Sequence, residues 1–530
     1  MEALVAWATS HGAEWNSAKL EERDGPRSRG IFAMTSIRQG EVLIRLPETL
    51  MVRPSGRLAK MVADRECSNL LALAITTIHE LNVAKPRTPY FDDVAATPPP
   101  CVPMFWSESD LAHLSETSLL PAGCTPTEAT AAAHAAFEGD VLPIIERLEN
   151  EYVPLAFRTF AIFQRALAHV VSYSLQGRAS YEHGSASMWP YLRADGPSTS
   201  ATPSDPFQQL WPGPFLLPLV DRLNHGCTAA ECCTRLHQII GPDAKGSSAS
   251  VGFEMRAERD IVAGEEVLHS YGQQGSADLL RTYGFLPPDG SAHTTLTFSR
   301  EALLRAVRSQ RSRSSAGGGG SGGDGGGTAL SEQAATHRMA ELDRASLLPA
   351  AFVIGAAGSV PLHLLTCVQV LLMSEEVFGE WVEAGSIALG ADYLDDEHLP
   401  AVVGCLLQIS ARPTHASPAA PRAAGAGGSG SGGGGSGGGE GGDAGGGVVT
   451  PRDGGQARQM AACLQEEEAA IARRFRAAVL MLEAGSDGEE SGEEEESGEE
   501  EESGEEEGSE QGDDEQVEQE ERPGKKRRQG

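Results

Sequence analysis

The sequence predicts an α+β protein: a small β-rich domain split by a helical insertion, then an all-helical region, then a disordered acidic tail. Three observations carry this. First, one turn occurs twice, as Ser36-Ile-Arg-Gln-Gly40-Glu41-Val-Leu-Ile-Arg-Leu46-Pro47 and as Asp260-Ile-Val-Ala-Gly264-Glu265-Glu-Val-Leu268. Each copy reads Ile, two residues, Gly-Glu and an apolar strand, so each is a tight turn in which glycine supplies the positive φ. Second, the pattern between about Leu58 and Leu175 is helical, so the two turns belong to one domain interrupted by an insertion. Third, the 44-odd residues from Asp487 onward hold 21 acids and 5 bases and scarcely any apolar side chain, and such a segment cannot join a core.

In chain order, Trp7 to Trp15 reads as a short amphipathic helix opening the domain. Arg27-Ser-Arg29-Gly30-Ile-Phe-Ala33 is a loop entering a strand, and Val42–Pro47 is a strand stopped by proline. Asn69-Leu-Leu-Ala-Leu-Ala-Ile75 is an apolar helix of the insertion, which runs from about 58 to 213. Tyr181 to Trp211, rich in Ser, Pro and Gly, reads as a surface loop. After Phe285 come helices interrupted by Gly/Ser tracts at 312–327 and 417–447, which read as flexible loops. Pro361-Leu-His-Leu-Leu365 and Leu399 to Ile409 read as packed helices. Met460, Leu464, Ile471, Phe475, Val479 and Leu482 fall near helical spacing, with Gly485 ending the pattern. The domains expected are therefore 1–299, 300–484 and 485–530.

The 530-residue chain carries a net charge of −33, of which −16 lies in the tail and −17 in the rest. An acidic body argues against nonspecific nucleic-acid binding. Nine scattered cysteines suit reduced thiols in cytoplasm or nucleus. No apolar run reaches a membrane span. The first residues, Met1-Glu-Ala-Leu-Val-Ala-Trp7, read as a helix rather than a transit peptide. Lys525-Lys-Arg-Arg528 reads either as a nuclear import signal or as a solvated end.

Two stretches carry chemistry. In Pro218-Leu-Val-Asp221-Arg-Leu-Asn224-His225, three polar side chains follow an apolar run; one helical turn would put them on a single face. Polar groups carried inward must be hydrogen-bonded or serve a site. Downstream stand Gly264-Glu265-Glu266-Val267-Leu268-His269-Ser270-Tyr271-Gly272 and Leu279-Leu280-Arg281-Thr282-Tyr283-Gly284-Phe285. Alone, each is compatible with a buried turn, a strand and a helix. Together, D-x-x-N-H, G-E-x-hydrophobic-x-x-x-Y-G and L-L-x-Y-G-F in this order resemble the SET-domain protein methyltransferases. The similarity is to the subfamily of Rubisco large-subunit lysine methyltransferase and the actin-histidine methyltransferases. Pro89-Tyr90 and the stretch from Pro103-Met-Phe-Trp106 to Thr117 resemble that subfamily's helical insertion. The helices after Phe285 resemble its substrate-binding domain in pattern.

The resemblance implies a SET fold, S-adenosyl-L-methionine as cofactor and methyl transfer to a lysine of a non-histone protein by a monomer. Histidine is the alternative acceptor. It implies that Arg29 and Gly30 touch the cofactor and that Gly30 admits close backbone approach, for which a missing Cβ is physically apt. It implies that Asn224 binds the cofactor's amino-acid end, His225 its adenine through the backbone, and that Asp221 supports the segment. Tyr283 would lie against the cofactor, or else be an ordinary core aromatic. Tyr271 would be catalytic, its phenol holding the amine at the methyl's path. Two departures stand out: Tyr173 replaces an arginine that relatives place after Ser172, and Ser276 replaces an asparagine. Arginine brings charge and a fork that phenol lacks. Tyr173 and the acidic tail favour a rival, a degenerate SET core whose tail engages basic proteins, and the intact Asn224, His225 and Tyr271 oppose it. His225, Cys227, Cys232, Cys233 and His237 cluster but lack the paired C-x-x-C spacing of structural zinc, so no metal is expected.

Overall fold

In the computed structural model the two Gly-Glu turns are bonded to each other. Ile37 N donates to Ile261 O and Ile261 N to Ile37 O, both at 2.9 Å. Gly40 and Gly264 take φ of +83° and +88°, the left-handed conformation both turns need. The sequence echo is thus a physical pairing across the insertion. The structure describes residues 1–486 except 26, 116, 120–124, 151, 176–213, 243–248, 317–330, 350, 391–397 and 411–453. The Tyr181–Trp211 loop, most of both Gly/Ser tracts and the acidic tail lie outside them.

Eight strands are present among the described residues: β1 (Glu14–Trp15), β2 (Leu20–Gly25), β3 (Ser28–Ala33), β4 (Val42–Pro47), β5 (Thr234–Pro242), β6 (Ala249–Ala257), β7 (Leu296–Ser299) and β8 (Ala351–Ile354). An antiparallel sheet runs β1-β4-β6-β5, and β2 and β3 form a separate hairpin. On β6 the apolar side chains alternate and Phe253, Met255 and Ala257 are buried, but Glu254 between them is buried too, held by Arg45 and Arg256. The first helix runs Glu2–Ser10, so the Trp7–Trp15 expectation is corrected: Gly12 at φ +92° ends the helix and Glu14–Trp15 enter β1.

The insertion is helical. Asn69–Asn82 is capped by Ser68, Pro89–Ala96 by Thr88 with Pro89 in the first turn, and Phe160–Tyr173 by Thr159. Leu71, Leu73, Ile75 and Ile78 are buried, each contributing about 1.5–3 kcal/mol of transfer free energy. These helices and the sheet share one core.

A second core forms around Leu362–Leu372 and Leu399–Ser410, both nearly all apolar. This region is not wholly helical, since β8 pairs antiparallel with β7. Ser312–Ala316, expected in a loop, instead continue the helix Arg300–Ala316. Fully buried Arg338 donates to Val370 O at 3.0 Å and Met373 O at 2.7 Å, satisfying carbonyls at the end of Leu362–Leu372. The last helix, Gly454–Ser486, serves both cores: Ala457, Ala461 and Leu464 pack in the first, Ile471, Phe475 and Val479 in the second. Its Glu468 accepts from Ser118 N and its Glu467 from Ser291 N, each at 2.9 Å. Met1–Ser486 form one compact unit.

Candidate active site

The segment Pro218–His225 is not one helical turn. Leu219, fully buried, has φ +75° and ψ −42°, close to the rare, strained γ-turn. Only Val220–Arg222 then coil, as a 3-10 turn, and Leu223 is extended. The three polar side chains therefore diverge. This corrects the single-face expectation, and it sends each to a different partner.

Asp221 points into the insertion. Tyr90 O–H donates to its Oδ2 at 2.7 Å, while Oδ1 is buried without a hydrogen bond. Arg222 Nε stands 3.9 Å from Oδ1, too far to donate, and its guanidinium is paired with Asp93. Burial pushes the Asp221 carboxyl up to about 7, with Tyr90's hydrogen bond opposing. Tyr173 and His169 flank it, their rings 4.7 Å apart, and the three line a cavity of about 20 Å³, far too small for a ligand. Burial takes His169 down to about 3, so it is neutral.

Asn224 turns the other way, onto the β2–β3 hairpin. Its Nδ2 donates to Arg29 O at 3.1 Å and to Glu266 Oε1 at 2.8 Å. Between them lies Gly30, where a Cβ would sit 2.3 Å from Glu266 Oε1 and 2.7 Å from Asn224 Nδ2. Only glycine lets these groups meet the backbone. Arg29 contributes its carbonyl; its exposed guanidinium goes to Glu22 Oε2 at 2.6 Å. Glu266 Oε2 accepts from Arg27 at 3.3 Å, and Arg27 also donates to Glu231 at 2.7 Å. Gly30→Ala is expected to dislodge the ends of both side chains but spare the fold. Overpacking of this kind costs about 1–3 kcal/mol. Urea unfolding checks this; a midpoint equal to that of the unsubstituted protein would show that the cradle has slack.

His225 runs beside the downstream stretch. His269 N donates to Asn224 O at 3.0 Å and Gly226 N to His269 O at 3.1 Å, a parallel bridge. His225 Nδ1 accepts from Tyr271 N at 3.1 Å, so its proton is on Nε2. Burial lowers His225 and takes His269 to about 4, leaving both neutral near pH 7. Tyr271 sits at the centre of a ring cluster: Tyr283 at 4.5 Å, His225 and His269 at 5.0 Å each, with Phe285 6.2 Å beyond both His225 and Tyr283. Its O–H donates to Leu223 O at 2.9 Å. Burial, then the neighbouring Tyr283, holds the phenol well above its ordinary range, so it stays protonated.

Gly30 and Asn224 thus meet at the β2–β3 hairpin, and His225, Tyr271 and Tyr283 in the ring cluster, the two groups joined through the Asn224–His225 peptide; Arg29 is present through its carbonyl, and Asp221 turns instead to Tyr90. Sequence reasoning missed Tyr90, Glu266 and Arg27 as members. Tyr90 carried a signal, in Pro89-Tyr90. Ser276 is fully buried and engaged, its N–H on Thr294 Oγ1 at 2.9 Å and its Oγ accepting from Ser291 N at 3.1 Å, so it ties the start of the helix Ser276–Tyr283 to the Ser291–Thr294 turn. Among the described residues no three His, Cys, Asp or Glu gather as a metal site, and the described cysteines are free.

Residues 28–272 match the SET domain family. The chain is 23% identical over 327 residues to N-lysine methyltransferase setd6 of Xenopus tropicalis, covering 59% of this chain and 64% of that protein. It is 23% identical over 323 residues to N-lysine methyltransferase SETD6 of Rattus norvegicus, covering 58% and 60%. The chain thus spans less than two thirds of the length of these relatives. Among solved structures, the SET domain of LSMT bound to lysine and AdoHcy aligns with a TM-score of 0.51 at 14% identity, over 91% of this chain and 92% of that one. Rubisco LSMT bound to AdoMet aligns with a TM-score of 0.51 at 13% identity over the same shares. Residues 28–272 therefore resemble a SET domain, and the chain as a whole shares the fold of Rubisco LSMT.

Proposed function

We propose that the protein is an S-adenosyl-L-methionine-dependent protein-lysine N-methyltransferase acting on a non-histone protein. The observation that carries this is the meeting of Gly30, Asn224 and the Tyr271 ring cluster inside a SET domain. S-adenosylmethionine, when bound, supplies an electrophilic methyl on a sulfonium. The residues present fit it. Gly30 and the Asn224 amide offer a polar cradle for an amino-acid arm. The neutral rings of His225, Tyr271 and Tyr283 offer an apolar wall. Setd6 and SETD6 are named N-lysine methyltransferases, which supports lysine as the acceptor.

The protein's own part is positioning, which can remove roughly 7–11 kcal/mol of a bimolecular barrier. Tyr271 gives its hydrogen to Leu223 O, so its lone pairs are left to accept from an incoming amine. A protonated phenol cannot act as a strong base, so it orients rather than deprotonates. Free thiols and the lack of any described helix able to cross a membrane agree with a cytoplasmic or nuclear enzyme.

The decisive experiment incubates the protein with methyl-labelled cofactor and a cell lysate, then hydrolyses the labelled bands. Methyllysine is expected; methylhistidine would move the acceptor, and no label would sink the reading. Tyr173, uncharged beside Asp221, favours a second reading, a SET-fold protein-binding module without transfer. Calorimetry with S-adenosylmethionine separates the two. On the enzyme reading, Asn224→Ala weakens cofactor binding by roughly tenfold to a hundredfold, the usual loss of a hydrogen bond to a charged group. Unchanged affinity would remove Asn224 from the site.

A further inference from the structure

One buried charge is left unexplained by the wall of rings. Glu266 is 8% exposed, yet it sits in the strand-like segment that lies along β3, where an apolar residue would pack as well. A carboxylate there needs partners. It has two, Asn224 Nδ2 on Oε1 and Arg27 on Oε2, and a carboxylate can accept about twice that number. Asn224 gives both amide hydrogens to Arg29 O and Glu266, leaving its Oδ1 as an acceptor. At Gly30, therefore, Glu266 Oε1 and Asn224 Nδ2 close on bare backbone, and Arg27 reaches the other oxygen of the same carboxylate.

The other nearby cations are committed. Arg29 is held by Glu22, and Arg222 is held by Asp93. Tyr173 carries no charge. Arg27 differs: its side chain is 33% exposed and is shared between Glu231 and Glu266. One of its partners can be exchanged for a ligand carboxylate without leaving the guanidinium unpaired.

We infer that Glu266 and Arg27 form a charge-matched subsite at the Gly30–Asn224 cradle, Glu266 receiving the α-ammonium and Arg27 the α-carboxylate of an S-adenosyl amino acid. This rests on the cofactor assignment above. It assigns the amino-acid arm to residues that lie within and beside the recognisable motifs but are not among their fixed letters.

Three ligands test it by calorimetry on the full chain. S-adenosylmethionine has both charges, its decarboxylated form keeps the amine alone, and 5′-methylthioadenosine lacks the arm. Glu266→Gln keeps an acceptor for Asn224 but removes the charge. It is expected to weaken S-adenosylmethionine and the decarboxylated form alike, by roughly tenfold to a hundredfold, and to leave 5′-methylthioadenosine unchanged. Arg27→Met is expected to weaken S-adenosylmethionine by a similar factor and spare the decarboxylated form. Should Glu266→Gln fail to fold, the half-exposed Arg27 position decides alone. Wild-type affinity for S-adenosylmethionine in both variants, or equal loss for all three ligands, overturns the subsite while leaving the cofactor assignment standing. Failure of the unsubstituted protein to bind S-adenosylmethionine overturns both.

Discussion

Tyr271→Phe is expected to slow methyl transfer by on the order of 100-fold or more while cofactor binding holds. The ring stays, so its packing against Tyr283, His225 and His269 stays. The fold loses one hydrogen bond, to Leu223 O, worth about 1 kcal/mol. What disappears is the oxygen that would hold the amine in line with the methyl. A group that acts only at the reacting centre affects rate far more than ground-state binding. The measurement is single-turnover transfer at saturating cofactor, with affinity determined separately. A variant that keeps its rate would make Tyr271 a packing residue. One that loses binding and rate together would place the hydroxyl in the cofactor pocket, acting through the Leu223 carbonyl on the Asn224 loop.

The motif letters named Gly30, Asn224, His225, Tyr271 and Tyr283 as candidates, because each lies in a short pattern whose chemistry is local. The echo of the two Gly-Glu turns was legible as a shared backbone requirement, but that the turns bond to each other came only from the structure. The helices of the insertion and of the second core followed from apolar content and spacing. What was not legible depends on contacts between distant segments. Tyr90 and Asp221 are 131 positions apart, and nothing in either neighbourhood names the other. Glu266 fills a variable place in its motif, and its burial follows from the line of that segment along β3. The single-face argument for Asp221, Asn224 and His225 failed at one residue. A leucine gives no warning of positive φ, and the buried surroundings of Leu219 impose it. The β6 alternation was available in the sequence as a strand signal of ordinary strength.

Asp221→Asn is expected to stabilise the protein at neutral and alkaline pH, an unusual direction for a substitution in a motif. The carboxyl's folded value, about 7, lies above its ordinary 3.8 because it is buried with one oxygen unpartnered. The unfolded chain therefore ionises this group first, and folding takes up a proton between the two values. For an acid shifted upward, its contribution to stability is whole below about pH 4. It then falls as pH rises and is exhausted above about pH 7. Between pH 5 and 7 the loss is roughly 2–3 kcal/mol, at about 1.4 kcal/mol for each pH unit. Asparagine is nearly isosteric and still accepts from Tyr90, but it does not titrate. The variant should match the parent near pH 5 to within about 1–2 kcal/mol and exceed it by about 2–4 kcal/mol at pH 8. Urea midpoints across that range supply the test. A variant less stable than the parent at pH 8 would mean that Asp221 is ionised in the fold, with Arg222 close enough to pair with it. A constant difference at every pH would mean that the group does not titrate there at all.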